Sequence, residues 1–129
     1  MKLNNRKKVI YLAGGFKSQW QLIAHEALND FLLKDPSQHH IDDPVQYTQW
    51  DLNAIEDSDI LLANMESSNP GGYALALEVG YAKALRKQII LVDQIENDMI
   101  KNYFEMVRQC SDYVFESLDD ALDFILNHY

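Results

Sequence analysis

Residues 59–93, DILLANMESSNPGGYALALEVGYAKALRKQIILVD, decide the fold. Asp59-Ile60-Leu61-Leu62-Ala63-Asn64 is a short, almost wholly apolar run, the pattern of a strand buried on both faces. Glu66 to Gly72 is rich in Ser, Asn, Pro and Gly and reads as a loop. Tyr73 to Arg86 reads as a helix and Gln88 to Asp93 as the next strand. A helix returning the chain between two buried strands makes those strands parallel neighbours in one sheet.

The same alternation extends in both directions. Val9 to Ala13 is another apolar run, bounded by the basic Lys2, Arg6, Lys7 and Lys8 on one side and by Gly14-Gly15 on the other. Its five residues are too few for a signal peptide's apolar region or a membrane span. From Ser18 to Lys34, Trp20, Ile23, Ala24, Ala27, Leu28, Phe31 and Leu32 recur at helical spacing, and Asp35-Pro36 ends the segment. Residues 37–43 form a polar loop. Val45, Tyr47 and Gln49 alternate as in a short second strand, and Asp51 to Asp57 reads as a short helix capped by Asp51. A helix from Asp98 to Gln109, a strand at Tyr113 to Phe115 and a helix from Leu118 to His128 follow.

Five such units predict one α/β domain over residues 1–129: a flavodoxin-like, three-layer fold with a five-stranded parallel sheet ordered 2-1-3-4-5. Its ligand crevice lies between strands 1 and 3. Gly14-Gly15 and Gly71-Gly72 follow those two strands, so the glycine-containing loops fall where this fold binds small molecules. The single Cys110 allows no internal disulfide, fits a reducing, cytoplasmic setting and reads as a small buried hydrophobe. A net charge of −9 argues against a nucleic-acid polymer as partner, since phosphate backbones are held by clustered Lys and Arg. It leaves a single nucleoside or nucleotide open.

Glu78 is the most informative side chain. At ~100° per residue its neighbours on the helix surface are Gly71, Ala74, Leu75, Tyr81, Ala82 and Leu85, none of them charged. A carboxylate on an apolar face is expensive unless it is partnered or used, and such a place raises its pKa. Both a buried hydrogen-bonded Glu and a catalytic one fit. In Gly14-Gly15-Phe16-Lys17-Ser18-Gln19-Trp20, glycine permits close backbone approach to a ligand, and Ser18 is placed to cap the following helix with its N–H groups facing an anion. Trp20 and Trp50 are placed either to stack on a ring or to pack. Tyr11, inside strand 1, is core by default, and His39-His40 read as loop surface. The histidines show no metal-ligand spacing with Cys110 or the carboxylates, so no metal or organic cofactor is expected.

Taken together, Tyr11-Leu12-Ala13-Gly14-Gly15-Phe16, Asp51-Leu52-Asn53 with Ile55, Asp59 to Ala63 and Glu78-Val79-Gly80-Tyr81-Ala82 resemble the nucleoside 2-deoxyribosyltransferase superfamily, including its nucleoside monophosphate N-glycosidases. The resemblance spans roughly residues 8–93. It implies cleavage of an N-glycosidic bond with Glu78 as nucleophile, Tyr11 hydrogen-bonded to it, and Asp51 binding or protonating the substrate. Gly14, Gly15, Phe16, Ser18, Trp20, Gly71, Gly72 and Ala74 would surround the ligand, and Gly80 would be a close-packing position. Family transferases carry an aspartate six residues before the glutamate, where this chain has Gly72, so hydrolysis is favoured over base exchange. The resemblance also implies a homodimer or higher oligomer. The alternative is a non-catalytic nucleotide-binding domain on the same fold; a phospho-receiver is disfavoured, because strand 1 ends in Ala-Gly-Gly rather than an acidic pair.

Overall fold

The computed structural model describes residues 7–68 and 72–129. Five strands, β1 (Val9–Gly14), β2 (Leu32–Lys34), β3 (Ile60–Met65), β4 (Gln88–Asp93) and β5 (Tyr113–Phe115), form one parallel sheet in the order β2-β1-β3-β4-β5. Six α-helices cover it: α1 (Trp20–Ala27), α2 (Pro44–Glu56), α3 (Gly72–Ala84), α4 (Asp98–Tyr103), α5 (Glu105–Cys110) and α6 (Leu118–His128). The predicted class and strand order are therefore correct. No helix among the described residues is long and apolar enough to cross a membrane.

Strand alternation divides the core in two. Tyr11, Ala13, Leu61, Ala63, Met65, Ile89 and Leu91 pack with α2, α3 and α5, while Ile10, Leu12, Ile60, Leu62, Ile90 and Val92 pack with α1 and α6. Continuous apolar runs are what this demands, since both faces of the inner strands are covered. At the amino-terminal ends of the strands, Asp59 and Asp112 accept hydrogen bonds from the N–H groups of Val9 (2.9 Å) and Ile89 (2.8 Å). The carboxyl-terminal ends are left to the loops that matter for function.

Four expectations are corrected. The segment Ser18 to Lys34 is not one helix: α1 stops at Ala27, Asn29-Asp30 sit in a turn, and Leu32–Lys34 is the second strand, with Val9 opposite Leu32. The helical spacing ran on past the turn because Phe31 packs on the same core as Ala24 and Leu28, whereas Leu32 is 52% exposed. Val45, Tyr47 and Gln49 belong to α2, which begins at Pro44 and is capped by Asp43, whose carboxylate accepts from the Gln46 N–H. Asp51 is thus an interior helical residue rather than a cap. Finally, the expected helix Asp98 to Gln109 is two helices, broken at Phe104. The Phe104 ring lies against the start of α3, where Gly72 makes room: a Cβ there would sit 2.8 Å from the ring.

Gly14 closes β1 with φ +148°, a conformation that favours glycine, and a Cβ on it would stand 2.8 Å from the Asn64 carbonyl oxygen. Both obstacles are backbone, so neither relaxes cheaply. Gly14→Ala should lower stability by about 2–3 kcal/mol, read as a reduced urea midpoint with unchanged slope; a midpoint equal to wild type would contradict this account of the turn.

Candidate active site

The loop after β1 is anchored through one carbonyl. Gly15 O accepts hydrogen bonds from the Trp20 indole N–H and the Gln21 amide, each 3.0 Å. Trp20 is only 2% exposed. It is a structural clamp and not a free platform for a base, which corrects its expected ligand role. Ser18 is exposed and does not cap α1; the cap position is Gln19, left-handed at φ 59° and without a side-chain capping bond. The expected Ser18 anion site is therefore not formed.

This loop and α3 enclose a cavity of about 150 Å³ bordered by Gly14, Gly15, Phe16, Ala74, Leu75 and Glu78. Glu78 stands on the flank of α3, beside the face that Leu75, Val79 and Ala82 bury against the sheet. Tyr11, wholly buried on the same side of β1, donates its hydroxyl hydrogen to Glu78 Oε2 at 2.5 Å. Burial pushes the Glu78 carboxyl up to about 7; the Tyr11 hydrogen bond works against this, and the charge of Asp51 adds to it. Burial, then the neighbouring Glu78, drives the Tyr11 phenol far above its ordinary value, so it remains a donor.

Asp51 projects from the middle of α2 and is held by a residue the sequence reading assigned to the surface. His39 Nε2 lies 3.2 Å from Asp51 Oδ1, with the two side chains 12% and 21% exposed. The Ile41 N–H donates to His39 Nδ1 at 3.0 Å. A ring nitrogen that accepts a hydrogen bond carries no proton, so the hydrogen sits on Nε2 and is donated to Asp51. The imidazole edge also packs on Trp50, ring centroids 4.7 Å apart. Burial raises the Asp51 pKa, opposed by the His39 hydrogen bond. Because its charge acts on both Glu78 and Tyr11, Asp51 belongs to the same electrostatic unit.

The structure thus joins Tyr11, Glu78 and Asp51, with Gly14, Gly15, Phe16 and Ala74 beside them. Gly71 lies outside the described residues. Gly72 is buried with its bare side toward Phe104. Gly80 is not a close-packing position, since nothing lies within 4 Å of where its Cβ would be. His39 went unnoticed because its partner was misplaced at a helix start; with Asp51 in mid-helix, the preceding loop folds back against it. Among the described residues no group of three His, Cys, Asp or Glu could hold a metal. A larger apolar groove of about 650 Å³ lies on the opposite flank of α3, with a half-buried Cys110 on its wall and no acid or base to do chemistry.

Residues 7–95 match the family model described as nucleoside 2-deoxyribosyltransferase like. Among solved structures, a 2-deoxyribosyltransferase from Leishmania mexicana superposes with a TM-score of 0.72 at 20% identity, over 95% of this chain and 99% of its own. The 2-deoxyribosyltransferase of Bacillus psychrosaccharolyticus gives 0.70 at 20% identity, over 94% and 91%. A CMP N-glycosidase of Clostridium botulinum gives 0.63 at 22% identity, over 95% and 100%. No curated protein matches the sequence.

The Glu78 shift has a consequence for stability. Its folded pKa of about 7 lies above the ordinary 4.5. The folded state therefore holds a proton that the unfolded chain has released between those two values, and stability falls as pH rises through that window. Glu78→Gln cannot titrate, so its stability relative to wild type should climb between pH 4.5 and 7 and then level off. The climb should be on the order of 2 kcal/mol once partial exposure is allowed for. Urea melts at pH 4.5 and 8 check this; a pH-independent difference would mean that Glu78 is not buried as described.

Proposed function

Since the chain belongs to the nucleoside 2-deoxyribosyltransferase-like family, we propose that it breaks the N-glycosidic bond of a nucleoside or nucleoside monophosphate, with Glu78 attacking C1′. The observation that carries this reading is the hydrogen bond from the buried Tyr11 phenol to the half-buried Glu78, which opens onto a cavity edged by glycine backbone. Breaking a sugar C1′–N bond develops oxocarbenium character at C1′. A carboxylate held in place by a phenol is suited either to stabilise that cation or to bond to it, giving a covalent glycosyl-enzyme. The departing base takes up a proton or a hydrogen bond, and Asp51, aimed by His39, is the group that supplies it.

Water is the proposed second substrate. The first turn of α3 offers no acid to a base, because residue 72 is glycine and its bare side faces the Phe104 ring. Attack of water on C1′ then breaks the bond to Glu78, which leaves as a carboxylate; the water proton passes to Asp51, left ionised by the first step, and hydrolysis is complete.

A second copy of the chain is the proposed occupant of the groove between α3 and α5. That groove is walled by Tyr73, Ala76, Gly80, Tyr103, Met106 and Cys110 and carries no charge, in a chain of net charge −9. Tyr73, Tyr103 and Met106 are 73–85% exposed there, an apolar patch of the kind that marks an interaction surface. Sedimentation should give a dimer for the wild type and a monomer for Met106→Asp; a monomeric wild type would remove the second copy from the proposal.

Two measurements test the chemistry. Purified protein incubated with ribo- and deoxyribonucleosides and their monophosphates should release free base, followed by chromatography. Glu78→Gln should lower release by at least about 1,000-fold, and Tyr11→Phe or His39→Ala by roughly 10–100-fold. No release from any member of the panel would leave a binding domain as the reading. Because Glu78 must be ionised to attack, release should rise with pH through about 7. An acid limb centred near the ordinary carboxyl value would mean that Glu78 titrates unshifted in the working enzyme, its role as nucleophile then resting on the loss of release in Glu78→Gln.

A further inference from the structure

On the other side of Phe16 from Glu78 is a second cavity, of about 350 Å³, whose polar wall is Gln19, Gln21, Asp35, Ser37, Gln38 and His40. Phe16 borders both spaces. The Glu78 cavity, about 150 Å³, is smaller than the roughly 300–1,000 Å³ of typical ligand pockets. It accommodates one ring of a nucleoside, and the other must go elsewhere.

Two of the polar groups on the second cavity can only accept. Gln21 is 3% exposed, and its Nε2 donates to Gly15 O, which fixes the amide's orientation because a carbonyl only accepts. Its Oε1 is then an acceptor with no donor among the described residues, a costly state for a buried polar atom. Asp35, 4% exposed, is already engaged by the Ser37 N–H (2.9 Å), the Ser37 hydroxyl (2.7 Å) and His25 Nε2 (2.9 Å). The Ser37 hydrogen being committed, its oxygen too can only accept. No Lys or Arg lines the space, so nothing there would hold a phosphate. Three non-glycine residues among those described have positive φ, and two of them, Gln19 (59°) and His40 (54°), stand on this cavity. Strained backbone of this kind gathers at ligand sites.

We propose that this cavity is the base compartment and that Gln21 Oε1 accepts a hydrogen bond from the exocyclic amino group of the nucleobase. The inference rests on the reading of Glu78 given above: with C1′ at Glu78 the sugar fills the smaller cavity, and the base extends past Phe16 toward Gln21. The amino group of an aminopurine or aminopyrimidine matches the Gln21 and Ser37 acceptors; an analogue without it leaves Gln21 unsatisfied.

The experiment uses free bases, so it does not require turnover. Adenine and cytosine, and the same rings lacking the amino group (purine and 2-pyrimidinone), are titrated calorimetrically into wild type, Gln21→Met and Leu22→Trp. Leu22 borders the cavity but is 62% exposed, so the larger indole narrows the space without disturbing the Gly15 anchor. The wild type should favour the amino-bearing rings by roughly tenfold, Gln21→Met should erase that preference, and Leu22→Trp should weaken all four ligands. Absence of binding, equal affinity for amino and non-amino rings, a preference that survives Gln21→Met, or indifference to Leu22→Trp would each overturn the proposal. Base release measured on the same preparations separates the two ideas. Release without amino preference sinks the compartment alone, and amino preference without release sinks the catalytic reading alone.

Discussion

The hydrogen bond from Tyr11 to Glu78 joins the interior of the sheet to the flank of α3, and each partner would be untenable there without the other. A phenol buried in a parallel sheet needs an acceptor, and a carboxylate on an apolar helix face needs a donor. Once the two meet, the rotation of α3 about its axis is fixed, because only one setting places Glu78 over Tyr11 and buries Leu75, Val79 and Ala82. That same setting turns Gly72 toward Phe104 and Gly80 into open space.

Around this contact the site is assembled by fastening backbone. Gly14 brings the chain within van der Waals limits of Asn64, and the Gly15 carbonyl is held from one side by Trp20 and Gln21. Asp51 is aimed by a histidine whose own proton is placed by the Ile41 amide. Each functional group therefore answers to a second residue that is locked by main-chain hydrogen bonding, which is how a site keeps its geometry while it is empty.

Much of this was legible in the sequence where burial was two-sided. β1, β3 and β4 announce themselves as apolar runs because both their faces are covered, and from them the strand order and the position of Glu78 follow. β2 was misread because it is a three-residue edge strand whose leucines continue the apolar spacing of α1 across the turn. That slip moved the start of α2, made Asp51 look like a cap and hid His39. Trp20 and Gln21 show the other limit: a periodic pattern tells which residues face inward, and only the packed chain tells that their polar ends seize one carbonyl. The identity of Tyr11 as a partner of Glu78 came from resemblance, since an aromatic inside a strand is by default only core.

The charge of the site has its own logic. Asp35, Asp51 and Glu78 all bear on Tyr11, and no Lys or Arg lines either cavity near them. Burial is the main reason that Glu78 and Asp51 are both pushed upward, and at Glu78 the charge of Asp51 adds to it. A ligand on which positive charge grows would relieve that arrangement, and would do so more in the transition state than in the ground state. For the proposed reaction the oxocarbenium carbon is such a centre, so the repulsion that weakens the resting site becomes differential binding of the reacting sugar.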